Sequence, residues 1–151
     1  MTDPMTIEVF RQRDREGRTA RPKLFLLASP DRSATPNALH DLERAVGAKL
    51  PRSYREFLTE FGGGSYGLTT VFSADPQSEW YLAARFDEER PLLPPGLLPF
   101  SDDHAGGLYV FEIIDGQANE PVLYWNSDGE IRQTQFGNAL EFIARYAYQP
   151  A

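Results

Sequence analysis

Residues 39–64, LHDLERAVGAKLPRSYREFLTEFGGG, constrain the fold more than any other stretch of this chain. Thr35 is placed to cap a helix whose first residue is Pro36, a position where the missing amide hydrogen leaves no bond unmade. Leu39, Leu42, Ala45 and Val46 then share one face, and Gly47 stops the helix. A second helix begins at Pro51. Tyr54, Phe57, Leu58 and Phe61 recur in it at helical spacing and lay three rings and a leucine along one stripe. Each such side chain is worth about 1.5–3 kcal/mol when fully buried, so the stripe forms core. Gly62 suits the left-handed conformation that closes a helix, and Gly63 and Gly64 let the chain turn away.

Beyond Gly64 the helical period gives way to short extended pieces at 66–72, 80–86, 108–113 and 122–125, with a short helix the alternative for 80–86 because of Leu82, Ala83 and Ala84. Ala74-Asp75-Pro76, the four prolines of 91–99 and the polar stretch 102–107 break these pieces, while Asp115-Gly116 and Asp128-Gly129 favour tight hairpin turns. In 108–113, Tyr109, Phe111 and Ile113 alternate with Leu108, Val110 and Glu112, so one face is strongly apolar and the other partly so, as in a central strand. A closing helix over 138–146 turns Leu140, Phe142, Ile143 and Tyr146 inward. Upstream, the alternation in 6–10 and the apolar run at 24–27 read as an edge hairpin, with a first helix as the alternative. The expectation is an α+β fold: a central antiparallel or mixed sheet packed by two helices from the first half and one from the end.

The chain has 151 residues, 41% hydrophobic and 25% charged, with ten Phe, seven Tyr and two Trp, which gives a single globular domain rather than a disordered segment. No apolar run reaches membrane-spanning length and the first residues lack a signal-peptide pattern, so the expected location is cytoplasmic. Without cysteine there is no disulfide, thiolate metal site or cysteine nucleophile.

The net charge of −7 is unevenly spread: residues 62–130 carry twelve Asp and Glu against two Arg, whereas residues 1–61 carry eleven Lys and Arg against nine acids. An acidic middle repels phosphate backbones and attracts a basic protein, although a solvated face that keeps a small protein soluble has the same composition. The arginines of 11–21 are interspersed with acids, as in a solvated loop, and do not make a nucleic-acid arm.

Sites of chemistry are sparse. His104 follows Asp102 and Asp103, but contiguous side chains diverge and a metal needs three or more converging ligands; the plain reading is a turn whose aspartates bond nearby amides. His40 sits beside the apolar stripe of the first helix as a boundary residue. Gly62-Gly63-Gly64-Ser65 follows a helix instead of preceding one and has no lysine, which is the wrong order for a phosphate cradle. Ser101, Asp102 and His104 are nearly contiguous, with no nucleophile elbow around them. Neither an enzyme nor a cofactor is expected.

Four stretches in order, GAKLPRSYREFLTEFGGG at 47–64, LLPFSDDHAGGLYVFEI at 97–113, PVLYWNSDGEI at 121–131 and FGNALEFIARY at 136–146, resemble the SUKH superfamily, which contains yeast-type Smi/Knr cell-wall regulators and many bacterial immunity proteins. The resemblance implies a non-catalytic binding module, in bacteria commonly one that neutralises a cognate toxin, often a nuclease. An acidic protein can block the cationic groove of such a toxin by charge and shape alone. The contact residues expected on that reading are Asp75, Glu79, Asp87, Glu88, Glu89, Asp102 and Asp103, with Tyr66 and Trp80 as aromatic anchors. The rival reading is a regulatory adaptor of the Smi/Knr type. Those relatives are usually longer, with disordered extensions, and the compact chain here points to the immunity type. A third class, a small-ligand or metal binder, would use the turn at Asp102, Asp103 and His104.

Overall fold

The computed structural model describes residues 4–23, 28–67 and 69–148. The first element is α1 (Ile7–Ala20), capped by Thr6, whose hydroxyl oxygen accepts the Val9 amide at 3.3 Å. Its buried positions, Ile7, Phe10, Asp14 and Gly17, lie three or four residues apart. This corrects the hairpin expected in that region. Five alternating residues are too few to separate a period of 2 from one of 3.6, and charged side chains between the buried positions obscure the stripe. The apolar run at 24–27 lies outside the described residues.

After β1 (Ser29–Pro30) come α2 (Pro36–Val46) and α3 (Arg52–Glu60), the helical pair expected from the sequence. Thr35 caps α2 by accepting the Ala38 amide at 3.1 Å, and Gly47 closes it in the left-handed conformation at φ 77°. Leu39, Leu42 and Val46 are buried, but Ala45 points to solvent, so the apolar face is narrower than predicted. The linker between the helices is a structural part in its own right. Leu50 is buried and donates its amide to Glu43 Oε2 at 2.8 Å, and Lys49 exchanges backbone bonds with Gly116 and Ala118 at 2.8 and 2.9 Å. Those bonds fasten the helical pair to a hairpin of the main sheet.

The chain then forms β2 (Gly64–Tyr66) and β3 (Thr69–Val71), which pair antiparallel with each other, while β1 adds to β2 to complete a three-stranded sheet. The single extended piece expected at 66–72 is thus part of a hairpin. The segment at 80–86 takes its helical alternative and becomes α4 (Leu82–Glu89), with Leu82 and Phe86 buried. Next come β4 (Leu97–Asp102), β5 (Gly107–Ile114), β6 (Gln117–Asn126) and β7 (Ile131–Gln133), an antiparallel sheet in sequence order. The chain continues through α5 (Ala139–Ile143), capped by Asn138, into a π-helical turn at Ala144–Tyr148. Among the described residues this makes an α+β fold with five α-helices and two antiparallel sheets.

β4 was not expected, because Pro99 sits inside it. The register shifts between Pro99 and Ser101, leaving Phe100 unpaired with β5, and the freed Phe100 carbonyl accepts the Phe72 amide at 2.8 Å. Ser101 Oγ donates to the Thr70 carbonyl at 2.6 Å. A bulge thus accommodates the proline and hooks the small sheet onto the large one. The core lies where α3 and α5 meet this junction: Phe100 and Phe111 stack at 4.3 Å, Tyr54 contacts both rings, and Phe142 meets Phe100 edge-on at 5.2 Å.

Candidate protein-binding surface

The residues expected to touch a partner separate into four environments. Tyr66 is core. It is 2% exposed, and its hydroxyl donates to the carbonyls of Phe61 and Gly62 at 3.0 and 2.5 Å, which removes it as an anchor. A tyrosine two residues after a glycine triplet reads the same in sequence whether it faces in or out.

Asp75 is engaged with Arg32, whose Nε and Nη2 reach its two oxygens at 3.0 and 2.8 Å. That fork, together with the Gln77 amide, lowers the Asp75 pKa to about 2. Arg32→Ala is expected to return this carboxyl to the ordinary range, as read by an NMR pH titration. Because the folded pKa is depressed, the pair's contribution to stability is complete above the ordinary carboxylate pKa of 3.8 and is lost as pH falls from there toward about 2. The variant should therefore lose less stability than the parent over that acid limb.

Asp87 lies on the far flank of α4. Successive helical residues rotate by about 100°, so with Leu82 and Phe86 inward, Arg85, Glu88 and Glu89 fall on one side while Asp87 and Arg90 fall on the other, 4.0 Å apart.

Of the remaining residues, Trp80, the Glu79 carbonyl and Glu88 are linked through Arg85 of α4, Glu89 lies close enough to Asp102 at the end of β4 to feel its charge, and Asp103 sits in the turn that follows. Trp80 is half-buried and firmly held. Its backbone oxygen accepts the Ser73 amide at 2.8 Å and its amide reaches Ser78 Oγ at 2.9 Å. The Arg85 guanidinium lies 4.7 Å over its ring, and the His104 ring meets it edge-on at 5.8 Å. Arg85 also donates to the Glu79 carbonyl at 2.9 Å and approaches Glu88 at 3.4 Å. Partial burial and the neighbouring carboxylates of Asp102 and Glu88 push the Glu89 pKa up, against the opposing pull of Arg85.

The 102–107 turn is built by its own aspartates. Asp102 Oδ1 accepts the His104 amide at 2.7 Å, and Asp103 Oδ1 accepts the amides of Ala105 and Gly107 at 2.7 and 2.8 Å. His104 has φ 59°, and its Nε2 pairs with Thr70 Oγ1 at 3.0 Å. Burial raises the Asp103 pKa, but hydrogen bonds from the Tyr124 hydroxyl and from the Ala105 and Gly107 amides outweigh it and hold the carboxyl low. The same bond, with some burial, raises Tyr124 to about 12. Asp103 is therefore a scaffold of the turn, whereas Glu88, Glu89 and Asp102 keep oxygens available to a partner. Sequence order missed His104 and Arg85 as the residues that position Trp80, since their contact depends on how α4 lies against the 102–107 turn. No group of three or more His, Asp and Glu side chains placed to hold a metal ion occurs among the described residues, and no described helix is long and apolar enough to cross a membrane.

A fixed, half-buried tryptophan held between Arg85 and His104 is the kind of side chain that protein interfaces favour. The chain belongs to the SUKH family: the family model SUKH_6, described as SMI1-KNR4 cell-wall, matches residues 36–143, more than half of its length. No curated protein matches it.

Proposed function

We propose that this protein is a cytoplasmic, non-catalytic binding module that neutralises a cognate toxin, a nuclease being the class whose cationic groove suits it. Contact would run through Trp80, Glu79, Glu88, Glu89 and Asp102. The observation that carries the reading is Trp80, held by Arg85 and His104, on the side of α4 that bears Glu88 and Glu89, where partial burial and the nearby carboxylates of Asp102 and Glu88 raise the Glu89 pKa. A cationic partner would offset the effect of Asp102 and Glu88 on Glu89, so this surface gains from binding a basic protein. Family membership supports protein binding in general; immunity is the finer step taken here.

The test is capture of the partner followed by kinetics on Glu88→Lys and Asp102→Lys. Each reversal is expected to slow association by about tenfold at low salt and to flatten its salt dependence. Affinity should also fall as pH drops through the raised Glu89 pKa, because protonation removes a charge that the partner prefers present. Unchanged association in both variants would take the acidic surface out of the account. The regulatory reading is favoured by the cell-wall description of the family model, and capture of a cellular protein in place of a toxin would select it.

A further inference from the structure

The open edge of the main sheet carries a pattern that complements itself. β7 is the outermost strand and is exposed at all three positions, with Ile131 48% exposed. Its backbone orientation follows from its neighbours. Ser127 donates its amide to the Gly106 carbonyl at 3.1 Å, so with Gly107 opposite Asn126 and Leu108 opposite Trp125, alternation turns the backbone groups of Trp125 and Leu123 toward β5. Asn126 and Tyr124 therefore face β7, and the Asn126 amide does meet the Glu130 carbonyl at 3.2 Å. With Tyr124 opposite Arg132, it is Arg132 that bonds inward, while Ile131 and Gln133 aim their amides and carbonyls away from the sheet.

We infer that β7 pairs antiparallel with β7 of a second copy, about a two-fold axis at Ile131. In that register Ile131 meets Ile131 of the other copy through two backbone hydrogen bonds; Gly129, opposite Gln133, lies in the turn with its own amide already bonded to the Asn126 carbonyl at 2.9 Å and adds none through it. Glu130 of each copy then falls directly opposite Arg132 of the other, in the close, non-hydrogen-bonded position where side chains interact best. The intrachain pair of Arg132 with Glu130 becomes an alternating square of four charges on one face. On the opposite face the two exposed isoleucines cover each other, and the two sheets join into one of eight strands. This self-complementarity of charge selects a second copy over a foreign strand: shifting the register by two residues in either direction leaves a charge without its counterpart. The pairing is independent of the surface around Trp80.

An edge of three residues is far below a standard interface, so association is weak and is read by sedimentation equilibrium up to about 1 mM protein. The mass of the parent chain is expected to rise toward twice the monomer value. Ile131→Pro removes an amide that the monomer does not use, and it is expected to fold normally and stay monomeric. Glu130→Arg alone and Arg132→Glu alone each place like charges opposite one another and should also stay monomeric, while an equimolar mixture of the two restores a dimer, because every opposed pair in the mixture is again unlike. The mixture does not depend on proline being tolerated. A parent chain that remains monomeric throughout the range, a dimer that survives Ile131→Pro, or a mixture that fails to associate would each overturn the inference. So would capture of a foreign partner that is lost in Arg132→Glu while the parent chain stays monomeric.

Discussion

Replacing Tyr54 by alanine is expected to cost about 3–5 kcal/mol of folding free energy, measured by equilibrium denaturation. Tyr54 is fully buried where α3 meets the junction of the two sheets, with its ring 5.7 Å from Phe100 and 5.6 Å from Phe111. Truncation leaves a cavity between three elements that cannot close by moving one of them. The hydroxyl acts separately: it donates to the Phe72 carbonyl at 2.5 Å, beside the amide through which Phe72 reaches Phe100. Tyr54→Phe keeps the ring but leaves that carbonyl buried and without its donor, so a smaller loss of about 1–3 kcal/mol is expected. Burial raises the Tyr54 pKa above the ordinary phenol value, which favours the protonated hydroxyl that donates this bond. If Tyr54→Phe proved as costly as Tyr54→Ala, the hydrogen bond rather than the ring packing would be what holds the junction.

Gly64→Ala is expected to cost more than about 3 kcal/mol, for two reasons that add. Gly64 has φ 113°, a conformation that side chains resist, and a Cβ built there would lie 2.5 Å from the backbone oxygen of Ser29. Ser29 belongs to β1, which pairs with β2 so that Pro30 lies opposite Gly64. The obstacle is backbone, so it cannot move aside as a flexible side chain would. The neighbouring Gly63 is as tightly placed, its virtual Cβ 2.6 Å from Ser73 Cα. By contrast, Gly116→Ala meets no atom within 4 Å and carries only the conformational cost of φ 76°. A thermal denaturation series over these positions separates steric from conformational cost: Gly64→Ala should fall well below Gly116→Ala, and equal losses would leave φ alone as the cause.

The glycine triplet shows how far local reading extends. From sequence, Gly62 is a helix terminator and its neighbours are flexible turn residues. The structure keeps the first role, with Gly62 left-handed at φ 80°, and replaces the second by close packing of strand on strand. The acidic segment behaved in the same way. Its composition forecast charge, but pairing with Arg32 withdraws Asp75, helical phase separates Asp87, and turn bonds occupy Asp103. What stays together around Trp80 depends on the angle at which α4 lies against the 102–107 turn, and nothing within α4 or the turn encodes that.

By itself the sequence determined the helical pair α2 and α3 with its caps, the central strand β5, the two Asp-Gly turns and the inward face of α5, and so the α+β class. These are local properties: a cap, a period or a turn residue acts within four positions of itself, and the residues that specify it are contiguous. Tertiary structure decided the rest. It made 7–20 a helix by giving Phe10 the rings of Phe57 and Phe61 to pack on, admitted Pro99 to a strand by a bulge that another sheet could use, and drew Tyr66 into the core. Each of those outcomes was settled by a partner distant in the chain, and the contact energy with that partner exceeds the weak local preference it overrode.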